Sequence, residues 1–119
     1  MKIISTALVL ASLAVQTSPA QQVQRGSFSA GVESEGWSLN GGTGARVHLV
    51  FIKFPQAFPE TPAVVIGLTT YDGAPAADGN LRVHLKAESI GRDGFVIKVS
   101  TWGESRITGV GGDWMAFIR

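Results

Sequence analysis

The sequence predicts an all-β chain, six antiparallel strands packed as a sandwich of two sheets. Three observations carry that expectation. No segment beyond the amino-terminal twenty residues sustains the 3.6-residue apolar repeat of an amphipathic helix. Short runs rich in Val, Ile, Leu, Phe and Thr recur along the chain, and several alternate apolar with polar residues as a half-buried strand does. Between the runs stand glycine clusters, prolines and Asp-Gly pairs, the punctuation of β-turns and connections.

The chain has 119 residues, and the first twenty are set aside before fold reasoning. Lys2 gives a short basic end, Ile3 to Val15 is mostly apolar, and Ser18-Pro19-Ala20 supplies the small residues of a signal-peptidase site. The run is too short, and too interrupted by Ser5, Thr6 and Ser12, to match the roughly 20 apolar residues of a membrane span. Residues 1–20 are therefore expected to be a cleaved secretory signal and residues 21–119 a single secreted, extracellular domain without membrane insertion.

Within that domain Gln24 to Ala30 reads as a polar first strand, and the glycine-rich Asn40 to Gly44 closes the loop that follows it. The second strand begins at Arg46, and Val47 to Phe54 is rich in β-branched and aromatic residues. Three prolines between Pro55 and Pro62 rule out a central strand there and mark a connection. Ala63 to Thr70 is the third strand, and Tyr71 to Gly79, with two Asp-Gly pairs and a proline, reads as a loop. The fourth strand opens at Asn80 and runs to Glu88, with Leu81, Val83, Leu85 and Ala87 on the core face and Arg82, His84, Lys86 and Glu88 on the other. After the Asp93-Gly94 turn, Phe95, Ile97, Val99 and Thr101 repeat the inward set, while Lys98, Ser100 and Trp102 point away. Gly109 to Ile118 is the last strand, with a bulge or a close backbone approach expected at Gly111-Gly112 and Trp114 assigned to the core.

Composition narrows the function. Ten Lys and Arg are scattered among nine Asp and Glu, for a formal charge of +1. No basic run exists to follow a phosphate backbone or an anionic membrane, so nucleic acid is not an expected partner. The chain has no cysteine. A secreted domain of this size buries only about two-thirds of its unfolded surface and commonly adds disulfides; association of subunits is the expected substitute.

Catalytic chemistry is hard to find. Without cysteine there is no thiol nucleophile, and no serine sits in a Gly-x-Ser-x-Gly elbow. The two histidines, His48 and His84, lack the spacing partners of a zinc site. Asp72, Asp78 and Asn80 are oxygen ligands that calcium accepts, but turns select the same residues for their backbone geometry. Glu33 and Glu35 lie in a polar loop, where a solvated carboxylate is the plainer reading. Gly41 to Gly44 and Gly109 to Gly112 lack the lysine and following helix of a phosphate loop. No enzyme activity, cofactor or metal is expected.

Arg82 and Trp102, each displayed on the solvent side of its strand, need a purpose other than the core. The residues around them carry a resemblance. Asn80-Leu81-Arg82-Val83, Asp93-Gly94-Phe95, Ser100-Thr101-Trp102-Gly103 and Trp114-Met115-Ala116 resemble, in order and spacing, the motifs of the H-type lectin domain of snail agglutinins and discoidins. Phe54 to Phe58, Pro62 to Val65, Thr69 to Asp72, Val23 to Gly26 and Gly36-Trp37 extend the likeness over the whole mature chain. The resemblance implies a six-stranded antiparallel β-sandwich, assembled as a homotrimer or hexamer, that binds glycans of the galactose or N-acetylgalactosamine type without a metal. It places a hydroxyl-binding fork at Arg82, an aromatic contact at Trp102 with Gly103 beside it, a neighbouring-subunit contact at Thr108, and an acidic loop contact near Gly41 and Thr43. An arginine fork and an aromatic plane suit a sugar, which offers hydroxyls in fixed directions and apolar C–H faces.

The chain departs from that pattern in four places. Gly103 stands where histidine is frequent, Thr108 where the next subunit offers an aromatic residue, and Thr43 where the loop carries a carboxylate; Glu104 and Asp78 are the candidate replacements for that carboxylate. The family's disulfide positions correspond to about Ala30 and Val99, an apolar pair. Each lost hydrogen bond to a ligand is worth about 0.5–1.5 kcal/mol, so the three site changes together span the gap between micromolar and millimolar binding. Two functions follow: a secreted, multivalent lectin, or an oligomeric structural or protein-interaction module that has lost sugar binding. In the second, Trp102 merely covers the sheet and Arg82 pairs with a carboxylate such as Glu104.

Overall fold

A computed structural model describes residues 22–119; the expected signal segment, residues 1–20, lies outside them. Six strands form: β1 (Val23–Gly31), β2 (Arg46–Lys53), β3 (Ala63–Ala74), β4 (His84–Glu88), β5 (Gly94–Thr101) and β6 (Arg106–Phe117). They make two three-stranded antiparallel sheets, ordered β1-β6-β3 and β2-β5-β4. The all-β sandwich expected from the sequence is the fold observed.

The core lies between the central strands. Phe95, Ile97, Val99 and Thr101 of β5 are buried on one side, and Ile107, Val110, Trp114 and Ala116 of β6 on the other. At one end Phe54, Phe95 and Trp114 stand 5.6 Å apart by ring centroid, and Phe58 meets Phe54 edge-on at 4.9 Å, the tilted geometry that aromatic quadrupoles favour. Ala30 and Val99, at the positions where the resemblance places a disulfide, are both buried in the shared core, one in each sheet.

Three sequence expectations are corrected. First, β3 runs on to Ala74 instead of ending at Thr70, because the start of β6 offers a ladder as far as Arg106↔Ala74; the Asp-Gly at 72–73 is absorbed into a strand, not a turn. Second, β4 begins at His84, not Asn80. Leu81 is accordingly 54% exposed, and the alternation that put it on the core face holds only from Val83 onward. Third, β6 begins at Arg106, not Gly109.

Of the bulge or close approach expected at Gly111-Gly112, the glycines show the close approach, and the extra residue falls on their partner: Leu68 pairs Gly112 and Thr70 pairs Gly111, leaving Thr69 over. The glycines serve close approach, since a Cβ at Gly112 would collide with the Gly67 carbonyl. A second bulge lies in β6 itself, where Asp72 pairs Gly109 and Gly73 pairs Ile107, so that Thr108 is unpaired. That insertion shifts the alternation, letting both Ile107 and Val110 face the core.

Chain order fixes where a site can form. The connections β1–β2, β3–β4 and β5–β6 all cross between sheets at the same end of the sandwich, the end at which Gly31, Ala74 and Thr101 finish and Arg106 begins. Side chains separated widely in sequence therefore converge there.

Candidate functional site

The segment between β3 and β4 has no ladder partners from Pro75 to Val83, so its backbone is satisfied in other ways. Gly79 N donates to Ala76 O at 2.8 Å and Ala76 N to Asn80 O at 3.0 Å, closing a tight loop. Two hydroxyls then pin it to the sandwich. Ser105 Oγ donates to Asn80 O at 3.0 Å, and Thr101 Oγ1 donates to Arg82 O at 2.6 Å. Both residues are fully buried, the only polar side chains in the described core. Their position explains why a polar residue is tolerated: each satisfies a carbonyl that no strand can reach.

Arg82 is thereby held with its guanidinium over the end of the sandwich, its side chain 21% exposed. Its Nη2 donates to Asp78 Oδ2 at 2.7 Å, while Asp78 Oδ1 accepts from Asn80 N at 3.0 Å. The partner is thus Asp78, four residues upstream, and not Glu104. The hydrogen bond from Arg82, and after it the one from the Asn80 amide, lower the Asp78 carboxyl from 3.8 to about 2; the same pairing raises Arg82. The pair is solvated, so it contributes orientation and local charge more than stability.

Trp102 follows directly on β5 and is 45% exposed. Gly103 has φ +68, and a Cβ there would lie 3.4 Å from Arg82 Nη1. A side chain at this position would be strained by the left-handed backbone, and its Cβ would lie in contact with the guanidinium. Arg82, Trp102 and Gly103 line one concavity of about 450 Å³ together with Asp78, Glu104 and the Ala76-Ala77 turn. The structure therefore assembles three of the sequence-derived site residues and adds both candidate carboxylates.

The other three lie apart. Thr43 lines an adjoining concavity of about 290 Å³ that shares Ala76, Ala77 and Glu104 with the first and ends at Arg106. Gly41 acts through its carbonyl, which accepts from Arg46 Nη1. Thr108 is exposed on its bulge, its carbonyl accepting from Val32 N at 3.0 Å, and lines neither concavity.

Sequence reasoning missed Arg46. Its guanidinium donates to Gly44 O at 3.1 Å, Gly103 O at 2.6 Å and Ser105 O at 3.0 Å besides Gly41, and Gly44 N donates to Gly103 O at 3.2 Å. One side chain thus ties the glycine loop of β1–β2 to the β5–β6 turn that carries Trp102. An arginine at a strand's first residue after a glycine run was the available signal, and it fits many plainer roles.

The calcium reading of Asp72, Asp78 and Asn80 is not supported by their placement. Asp72 sits in the β3 ladder and Asp78 is committed to Arg82; among the described residues no group of three His, Asp or Glu is placed around a cation. His48 packs against Trp37 at 4.9 Å, and His84 is exposed on the outer face of the β2-β5-β4 sheet. A larger concavity of about 690 Å³ lies on the outer face of the other sheet, lined by Arg25, Val65, Asp113 and Met115 among others. It lacks the exposed aromatic plane beside a polar fork that the smaller one has.

A family model described as the H-type lectin domain matches residues 49–117, from β2 to the end of β6. The chain belongs to the H-type lectin family. Discoidin-2 of Dictyostelium discoideum is 35% identical over 107 residues, which are 90% of this chain and 40% of that protein. The native structure of recombinant discoidin II from the same organism superposes with TM-score 0.71 at 35% identity, covering 79% of this chain and 35% of the other. A Fuscovulum blasticum protein named ATP synthase subunits region ORF 7 is 37% identical over 83 residues, 70% of each chain. This H-type lectin domain thus spans well under half the length of the discoidins it matches. Membership places it, in coarse terms, in a family of carbohydrate-binding lectins.

Proposed function

We propose that this domain is a secreted lectin for galactose-type sugars such as N-acetylgalactosamine, binding at the Arg82–Trp102 concavity and gaining strength from several sites on a trimer or hexamer. The observation that carries the proposal is the juxtaposition of a pre-oriented guanidinium with a half-exposed indole in one concavity. The arginine offers N–H donors to hydroxyls in fixed directions, and the indole offers a plane for sugar C–H groups. Asp78 and Glu104 provide acceptors in place of the loop carboxylate that Thr43 lacks. Assembly is supported by an apolar stripe on the outer face of β2, where Val47, Leu49 and Phe51 are 41%, 43% and 76% exposed; such a stripe favours burial against another subunit. In the assembled reading Thr108 reaches a neighbour's site from its bulge. Repeated weak sites then add avidity of about 10²–10⁴ over one site.

The competing reading is an oligomeric interaction module without sugar binding, and it rests on Gly103, Thr43 and Thr108. A galactose-type affinity column separates the two. Arg82→Ala should lose retention while the fold and oligomer persist, Trp102→Ala should lose it with some loss of stability, and Lys98→Ala, on the outer face of β5, should be retained like the parent. Retention of Arg82→Ala equal to the parent's would refute the site.

A further inference from the structure

Resting on the carbohydrate reading above, we infer that the Arg82 site selects neutral glycans over acidic ones, because Asp78 occupies the guanidinium that an anionic sugar substituent would need and Glu104 places a second carboxylate in the same concavity.

Among the described residues, Arg82 is the only cationic side chain lining that concavity, and Asp78 and Glu104 line it too. One guanidinium against two carboxylates leaves the lining with a net negative charge. The Arg82–Asp78 contact is close, 2.7 Å between Nη2 and Oδ2, and Asp78 stays ionised at any ordinary pH. A sulfate or carboxylate on the sugar that approached the fork would meet Asp78 beside it, a like charge at hydrogen-bond range. A neutral hydroxyl meets no such conflict. It can donate to Asp78 and accept from Arg82 together, since a hydroxyl carries one donor and two lone pairs. The pair is thus matched to hydroxyls by both sign and hydrogen-bonding sense.

The neighbouring arginines do not restore a positive site. Arg46 donates to the carbonyls of Gly41, Gly44, Gly103 and Ser105 and lines neither concavity. Arg106 lines the adjoining concavity on the far side of Glu104. Neither arginine lines the Arg82 concavity, whereas Asp78 touches the fork itself. Asp78 is in this account a binding residue that sets specificity.

The experiment compares retention on immobilised galactose and galactose 6-sulfate for the parent protein, Asp78→Asn and, as a remote control, Glu60→Gln in the β2–β3 connection. Asparagine preserves an oxygen for the Asn80 amide, so Asp78→Asn should melt like the parent. The parent and Glu60→Gln should prefer galactose. Asp78→Asn should raise the sulfated-to-neutral ratio about fivefold at low ionic strength, the Boltzmann factor of one unit charge about 4 Å away through water, and high salt should shrink the change. A parent that prefers the sulfated sugar, or an Asp78→Asn ratio equal to the parent's, overturns the inference while leaving the lectin reading in place. A parent that binds neither sugar overturns the lectin reading and this inference with it.

Discussion

Thr101→Val exchanges a hydroxyl for a methyl of nearly the same shape at a fully buried position, and its consequence should appear at a residue nineteen positions away. The hydroxyl donates to the Arg82 carbonyl at 2.6 Å, in a segment that β4 does not yet hold. Removing it loses one hydrogen bond, worth about 0.5–1.5 kcal/mol net, and leaves a carbonyl without its donor, a penalty of about 1–3 kcal/mol if no water reaches it. A destabilisation of about 1–2 kcal/mol is expected, because valine recovers some apolar burial and the loop can relax toward solvent. For a domain of this size that lowers the melting temperature by roughly 4–15 °C at fixed protein concentration. Binding should weaken as well. If the released segment holds Arg82 in its binding position only about a tenth of the time, apparent affinity falls about tenfold. Differential scanning calorimetry and titration on a galactose-type ligand read the two effects. A variant that melts within about 1 °C of the parent and binds as well would refute the claim that Thr101 positions Arg82.

Other tests address the remaining elements. Arg46→Ala removes the guanidinium that joins the glycine loop to the β5–β6 turn; a loss of about 1.5–3 kcal/mol is expected, with faster proteolysis at Asn40 to Gly44, since hydrogen bonds from a charged donor are among the stronger ones. The Asp78 carboxyl lies below its ordinary value, so the Arg82 pairing is complete above pH 3.8 and is lost as pH falls through about 2; carbon-detected NMR titration of that carboxyl should follow this course, and a midpoint at the ordinary value would contradict the pairing. Protein recovered from the medium of expressing cells should begin at Gln21 by intact mass and run as a trimer or hexamer by light scattering, with a melting temperature that rises with concentration. A monomer would remove the neighbour's contribution through Thr108.

What the sequence determined by itself was the class of the fold, most of its strands, and the family. Alternation with period two over Phe95 to Thr101 is enough to place a strand with one buried face, and the structure buries Phe95, Ile97, Val99 and Thr101 accordingly. Trp114 reads as core because it sits among apolar neighbours near the end of a strand. Arg82 and Trp102 are legible as candidate site residues through the ordered motifs around them, and they line one concavity. These signals are local, and local patterns survive without knowledge of what pairs with what.

Only the tertiary structure decided the rest, since the answer lay in the partner strand. Asp72-Gly73 favours a turn in isolation, yet β6 draws it into a ladder that extends β3 to Ala74. Asn80 to Val83 alternates like a strand, but it has no neighbour to bond, and Thr101 and Ser105 hold it as a loop instead. The β2 residues facing solvent are the apolar Val47, Leu49 and Phe51, while His48, Val50 and Ile52 face inward; both sets are apolar enough to line a core, so composition cannot choose. Register chooses, through Leu49↔Lys98 and Val50↔Ile97. The same holds at the site. Asp78 could be a metal ligand, a turn residue or an ion-pair partner by type, and the fold uses it as the last two together: one carboxylate oxygen accepts from the Asn80 amide and the other lies 2.7 Å from Arg82.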